Sequence, residues 1–330
     1  MKLVSSQYLV SNIFTDKIEM LPIRKGFGEG LVVSGRFDRS IVALCADLTE
    51  STQMEAFKQE FPERFVEIGV AEQNLVTVAS GLAAVGKKPF VTSYAGFSPG
   101  RNWEQIRTTI CLNDQNVKIV GSHAGVSVGP DGATHQMLED IALMRVLPNM
   151  IVIVPADSIE AQKATEAMAK LDHPAYLRLA REKTAVFSTE KTPFEIGKAQ
   201  VLVAGTDVTI VACGPLVYEA LKAAKILMEK NISAEIINCA TIKPYDHQTI
   251  STSAKKTGLV ITVEEAQSAG GLGGVVAESL ATQQIAAVHR IGVEDRYGQS
   301  GAVEELWREY GLDSASIVTK VTESIQKGKK

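Results

Sequence analysis

Five stretches of the chain carry side chains able to do chemistry. In FPERFVEIGVAEQN (Phe61–Asn74) a short strand candidate ends at Ile68, a glycine turns the chain, and Glu72 stands near the start of a helical pattern. Open α/β sheets meet their ligands at the C-terminal ends of strands, which is where Glu72 lies. A helix-start acid that only complements the macrodipole would occupy the same position. The run that follows, NLVTVASGLAAVG, is apolar on nearly every side and predicts a buried helix, hence a dry setting for Glu72. In GSHAGVSVGPDGATHQMLED (Gly121–Asp140), His123, Asp131 and His135 share a glycine-rich loop between a strand and a helix. Long loops after buried strands are usually functional, although each histidine alone also suits a surface or capping place. Zinc is a poor fit here, since the loop has no HExxH pattern and no cysteine nearby.

Arg178 and Arg181 in YLRLARE follow a strand candidate, and an arginine fork suits phosphate or carboxylate as well as a surface pair with Glu182. Tyr94 and Phe97 in TSYAGF stand just past another strand, where rings can wall a flat heteroaromatic ligand or simply join the core. GGLGG (Gly270–Gly274) does not fit the dinucleotide fingerprint and reads as a tight turn with close helix–strand packing.

The elements that must position these residues alternate between short Val- and Ile-rich runs and longer amphipathic stretches. Strands are expected at 41–46, 65–68, 90–92, 117–120, 151–154 and 176–179, with helices at 71–85, 103–112, 137–147 and 158–171. Strands apolar throughout, spaced by helices, argue for a mostly parallel sheet covered on both faces. Residues Arg181–Gly197 are polar, carry a proline and have no sustained period, which reads as a linker. The rhythm resumes with strands at 208–212, 234–238, 259–263 and 289–292 and helices at 217–230, 274–282 and 303–310. The expected fold class is α/β, in two domains, each a mostly parallel sheet flanked by helices. The terminal KGKK reads as a frayed tail.

Composition removes several classes of function. The 330 residues hold 34 Lys and Arg against 38 Asp and Glu, a net charge of −4, with no basic run, so nucleic acid is not an expected partner. A hydrophobic fraction of 45% is too high for a disordered chain. Apolar runs such as Met150–Val154 are too short to cross a bilayer, and MKLVSSQYLVSNIF is too interrupted for a secretory signal. Cys45, Cys111, Cys213 and Cys239 are far apart and fit small core residues of a reducing compartment. A cytoplasmic protein without a membrane partner is expected.

Taken together, DLTES (Asp47–Ser51), FPERFVEIGVAEQN, GRNWEQIR (Gly100–Arg107), VGPDGATHQMLEDIALMRVLPNM (Val128–Met150), VPADS (Val154–Ser158) and GGLGGVVAE (Gly270–Glu278) closely resemble the C-terminal half of transketolase. The resemblance runs from about Arg24 to the end of the chain. It implies a pyrimidine-binding domain over residues 1–190 and a transketolase C-terminal domain over 191–330. It also implies the cofactor thiamine diphosphate, with Mg²⁺ or Ca²⁺ held mainly by a partner. No GDG motif of the diphosphate-binding domain occurs in the sequence, so the partner implied is a separate N-terminal transketolase subunit. The assembly implied is an α2β2 heterotetramer in which this chain also self-associates.

Carried over by motif, Glu72 is the acid that bonds the pyrimidine ring nitrogen and favours the imino tautomer, and Tyr94 and Phe97 flank the ring. The family's third aromatic has Gly100 near its place, and the role is not carried to Trp103. Asp47 lies close to the cofactor. His135 contacts the sugar near C1 and C2 and aids proton transfer, and Asp131 reads a sugar hydroxyl. Arg24, Ser51, His123 and Arg181 match positions that hold the sugar phosphate. Pro130 replaces the acid usual in that loop.

The activity implied is transfer of a two-carbon ketol unit from a ketose phosphate to an aldose phosphate, as in the pentose phosphate pathway, by a complex in which this chain alone is inactive. The alternatives are the beta subunit of a 2-oxo acid dehydrogenase, an enzyme like 1-deoxyxylulose-5-phosphate synthase, and a non-catalytic homologue. DGATHQ, His123 and Arg181 stand against the first, and retention of Glu72 and His135 stands against the last.

Overall fold

The structure, a computed structural model, describes residues 2–4 and 8–328. In chain order the first half holds β1 (Lys2–Leu3), β2 (Met20–Pro22), α1 (Ile23–Phe37), β3 (Ile41–Cys45), α2 (Glu55–Glu60), β4 (Phe65–Glu67), α3 (Glu72–Ala84) and β5 (Lys88–Tyr94). It continues with α4 (Trp103–Gln105), β6 (Lys118–Ser122), α5 (Asp140–Arg145), β7 (Ile151–Ile153), α6 (Ser158–Ala169), β8 (Ala175–Arg178) and β9 (Lys183–Ala185). The second half holds β10 (Gln200–Ala204), β11 (Val208–Ala212), α7 (Leu216–Glu229), β12 (Ala234–Asn238), β13 (Thr241–Lys243) and α8 (His247–Thr257). It ends with β14 (Leu259–Gln267), α9 (Leu272–Ala281), β15 (Ala287–Val293), α10 (Val303–Glu309) and α11 (Ser314–Gly328).

A seven-stranded sheet runs β13-β7-β8-β6-β5-β3-β4, parallel except where β13 joins β7. A six-stranded sheet runs β1-β10-β12-β11-β14-β15, parallel from β12 to β15 and antiparallel at β1 and β10. The fold class is the expected one. Strands such as β3, IVALC, and β11, VTIVA, are buried at every position because helices cover both faces of their sheets.

Two strands cross between the halves. β1, from the N-terminus, lies in the second sheet, and β13, from the second half, pairs with β7 in the first. One apolar cluster accordingly joins Val42, Leu44 and Val91 to Val211, Ile237 and Val276.

Several expectations need correction. The stretch 181–197 is not structureless, since β9 lies in it and pairs antiparallel with β2. The helix expected over 137–147 is confined to Asp140–Arg145, because Met137 bridges to Ala124 and its carbonyl accepts from Gly125 N. The helix expected over 103–112 turns into a π-helix at Ile106–Cys111. Helix α3 is not buried all round: Leu75, Val76 and Ala79 are covered, whereas Val78 and Leu82 are half-buried and Val85 is 75% exposed. Only one of its apolar faces packs on this chain. Of the KGKK tail, Lys327 and Gly328 end α11, and the last two lysines lie outside the described residues. The four cysteines are buried free thiols.

Helix α1 is not among the expected helices, although Ile23, Phe27 and Leu31 recur at helical spacing. It lies on α6 through its glycines: a Cβ at Gly26 would stand 1.7 Å from Ser158 O, and one at Gly30 2.7 Å from Gln162 O. Helix α6 is capped by Asp157, whose carboxylate accepts from Glu160 N at 2.9 Å, so Ser158 is the first helical residue.

Candidate active site

The parallel order β8-β6-β5-β3-β4 brings five strand ends side by side. Arg181 follows β8, His123 follows β6, Tyr94 ends β5, Asp47 and Ser51 follow β3, and Glu72 starts the helix after β4. The sequence-predicted residues therefore share one edge of one sheet, the edge where α/β folds meet ligands.

Rings converge there. Tyr94 stacks on His123 with centroids 3.9 Å apart and on Phe97 at 5.9 Å, while His135 stands edge-on to Phe97 at 5.3 Å. His123 holds a left-handed backbone, φ +57, and Asp47 another, φ +58. Asp and His are among the residue types that adopt this conformation most readily. Ser122 Oγ lies 2.8 Å from His123 Nδ1. Burial, reinforced by the charges of Arg24 and Arg181, pushes the His123 pKa down to about 3, so its imidazole is neutral at physiological pH.

Glu72 is buried, 4% exposed, at the first turn of α3. Its carboxylate meets Arg101 Nη1 at 3.3 Å, and its backbone carbonyl accepts from Asn102 Nδ2 at 2.8 Å. Arg101 also lies over the Phe97 ring, 4.1 Å from its centroid. A flat cation thus makes the two contacts that a flat heteroaromatic base would make: an N–H toward Glu72 and a face on Phe97. Half of the Arg101 side chain is in solvent.

The cationic side of the site is built by α1 and the segment after β8. Arg24 Nη1 donates to the Arg181 carbonyl, and its Nε is buried without a partner. Burial pulls the Arg24 pKa down, with Glu182 opposing and Arg181 adding to the fall. An unpaired buried donor on a cation beside a second guanidinium is an environment that an anion would satisfy. Arg181 Nη1 donates to Val128 O at 2.7 Å and lies 3.5 Å from Asp131 Oδ1. His135 Nδ1 pairs with Thr134 Oγ1 at 2.9 Å.

Asp47 and Ser51 lie in the turn after β3. The Asp47 amide donates to Glu67 Oε1 at 2.7 Å, and the same carboxylate takes Gly69 N at 2.9 Å. Ser51 Oγ donates to Leu48 O at 3.2 Å. Glu67, a residue not singled out from sequence, thereby ties the turn after β3 to the turn before α3. Arg178 is the one arginine misread. It is buried, with Nε on the Asp140 carboxylate at 2.8 Å and Nη2 on Glu265 O at 2.8 Å, so its fork is committed to the interior. Trp103 turns away, its Nε1 donating to Leu143 O at 2.8 Å. GGLGG is the tight turn expected: the Glu264 carboxylate accepts from Leu272 N and Gly273 N, both at 2.7 Å.

Arg101, Glu67 and Glu265 escape sequence reasoning. GRNWEQIR does contain Arg101, but nothing in its spacing shows the turn back onto Glu72. Among the described residues no three His, Cys, Asp or Glu side chains gather to hold a metal, and no helix is long and apolar enough to cross a membrane.

Residues 19–186 match the family "Transketolase, pyrimidine binding domain", and residues 197–317 match "Transketolase, C-terminal domain". A putative transketolase C-terminal section from Methanocaldococcus jannaschii is 46% identical over 308 residues, 92% of this chain and 96% of that protein. A polypeptide of the 6-deoxy-6-sulfo-D-fructose transketolase from Clostridium sp. strain MSTE9 is 39% identical over 92% of this chain and 95% of its own. One of the polypeptides of the apulose-4-phosphate transketolase from Phocaeicola vulgatus is 38% identical over 93% of this chain and 99% of its own. Human transketolase is 34% identical, but this chain spans only 50% of it. A solved structure described as a split gene transketolase, inactive beta4 tetramer, superposes with a TM-score of 0.85 at 40% identity, covering 93% of this chain and 99% of that one. The chain therefore belongs to the transketolase family, with the pyrimidine-binding and C-terminal domains together in one polypeptide, as in the C-terminal subunits of split transketolases.

Proposed function

We propose that this chain is the subunit of a thiamine-diphosphate-dependent transketolase that receives the pyrimidine ring and the sugar phosphate. Residues 1–190 and 191–330 are its two functional domains. It acts with a separate N-terminal subunit that grips the diphosphate and a Mg²⁺ or Ca²⁺ ion through oxygen ligands. The observation that carries this reading is the convergence, at one sheet edge, of a buried carboxylate, a ring wall and a pair of guanidiniums, one with an unpartnered buried donor.

Each residue then has a role that its surroundings support. Glu72 shares a proton with the pyrimidine nitrogen, Tyr94 and Phe97 flank the ring, and Asp47 borders it. Arg101, half in solvent, swings clear as the ring enters. His123 stays neutral and donates or accepts a hydrogen bond, while Arg24, Arg181 and Ser51 hold the sugar phosphate. Asp131 reads a hydroxyl, and His135 moves a proton at the sugar's C1–C2 end. When bound, thiamine diphosphate would supply a nucleophilic carbon that adds to the ketose carbonyl and an electron sink for breaking the sugar's adjacent C–C bond. Held together, these groups orient both sugars for transfer of the two-carbon unit.

The complex is proposed as an α2β2 heterotetramer, cytoplasmic, serving the pentose phosphate pathway. The names of the sulfofructose and apulose-4-phosphate relatives favour one second reading, in which the same transfer uses a modified ketose. The test is ketol transfer from xylulose 5-phosphate to ribose 5-phosphate with thiamine diphosphate and Mg²⁺. This chain is assayed alone and mixed with the N-terminal subunit encoded beside it. Activity confined to the mixture is expected. No transfer by a well-formed complex, with these or other ketose phosphates, would overturn the reading.

A further inference from the structure

The loop that carries Asp131 and leads to His135 is held from the second domain. A short 3₁₀ turn spans Val126–Asp131. Glu265, on β14 of the other sheet, points its buried carboxylate at that turn. Ser127 N donates to its Oε1 at 2.5 Å and Ser127 Oγ to its Oε2 at 2.9 Å. Trp307 Nε1, from α10, donates to the same Oε1 at 3.0 Å. The approach is so close that a Cβ at Gly125, φ +86, would stand 2.6 Å from the carboxylate.

The residue after Ser127 is Val128, whose carbonyl accepts from Arg181 at 2.7 Å. Gln136 closes the other side, with its Nε2 on Val126 O, Gly129 O and the Gln299 carbonyl. Glu265 is thus linked to the guanidinium of Arg181 by hydrogen bonds at Ser127 and at Val128 O, joined through the peptide bond between those two residues.

We propose that Glu265 is a positioning residue: by clamping Ser127 it sets the Val128 carbonyl, and through it the place of Arg181 and Asp131 toward a phosphorylated substrate. The inference rests on the reading that Arg181 and Asp131 meet a sugar phosphate. Glu265 touches no substrate itself. Its loss should act on substrate affinity and leave the cofactor side, built by Glu72, Tyr94 and Phe97, in place.

The assay uses the complex with the N-terminal subunit. Glu265→Ala is expected to raise KM for both sugar phosphates about tenfold, with kcat within about twofold and thiamine diphosphate affinity unchanged, because it frees the Ser127 N–H and lets the turn drift. Glu265→Gln should restore most of the affinity, since its amide oxygen can accept from both Ser127 N and Trp307 Nε1. Unchanged sugar KM in Glu265→Ala, or an equal loss of cofactor affinity, would overturn the proposal. If Glu265→Ala does not fold, Glu265→Asp keeps the charge but draws the carboxylate back by one methylene from Ser127 N and should raise sugar KM about threefold; no rise would overturn the proposal equally. Calorimetric binding of inorganic phosphate separates this inference from the proposed function. Weaker phosphate binding in the variant upholds the clamp even if the wild-type complex transfers no ketol unit. Equal binding in both sinks the clamp even if transfer is observed.

Discussion

At Glu72 the decisive property is the combination of depth and position. A carboxylate 4% exposed at the start of α3, paired with Arg101, stands where water competes little for a hydrogen bond to it. Glu72→Gln keeps the shape but cannot take or give a proton. Ketol transfer by the complex is expected to fall at least about a hundredfold with the circular dichroism spectrum unchanged; undiminished transfer would mean a non-catalytic place for this residue. His123 makes a prediction of another kind. Its pKa is pushed from 6.5 in the unfolded chain to about 3 by burial and by Arg24 and Arg181. Between those values the unfolded chain binds a proton that the folded chain refuses. Stability therefore rises with pH from about 3 to 6.5 and the contribution is complete above that. The melting temperature should climb with pH across that window for the wild type and climb less for His123→Gln. Glu72, His123 and His135 are legible because each sits in a loop or helix start flanked by strand and turn signals. Glu265 is not. It lies inside the apolar strand VITVEEAQ, and its partner Ser127 is 138 positions away, a separation that no local pattern reports.

Among the elements, α1 and its crossing with α6 decide where Arg24 stands. Gly26 sits where the two helices touch, with room for no side-chain atom. Alanine has the better helix propensity by about 1 kcal/mol, but an added methyl against the Ser158 carbonyl forces the helices apart at a cost of about 1–3 kcal/mol. Overpacking should win, so Gly26→Ala is expected to lower the urea midpoint and, by displacing Arg24 two residues away, to raise the KM for sugar phosphate. A midpoint at or above wild type would show that the crossing can relax. The same glycines weaken the sequence signal for α1. Gly26, Gly28, Gly30 and Gly35 argue against a helix on propensity, and tertiary contact overrides them. Helix α8, HQTISTSAKKT, is rich in Ser and Thr, residues of low helix propensity, while β13 is three residues long. By contrast, strands such as β3 and β11 are evident from their Val and Ile runs, because burial on both faces leaves no alternation to decipher. The start of α6 at Ser158 is the expected one, with Asp157 as its cap.

For the whole molecule, the exchange of β1 and β13 and the shared apolar cluster make the two sheets one mechanical body. Calorimetry should show a single unfolding transition, and cleavage within 181–197 should leave the halves together on gel filtration; two resolved transitions would separate them. The Glu265–Ser127 clamp crosses the same interface, so substrate placement depends on both halves being seated. The laced strands also bear on inheritance. A gene divided anywhere between 186 and 197 would give each product a strand belonging to the other's sheet: the first would keep β1 without β10, and the second β13 without β7. Each product would expose an unpaired edge, an invitation to aggregate before the two could meet. A breakpoint between the two domains would therefore break up both sheets at once, which favours passing the pair on together.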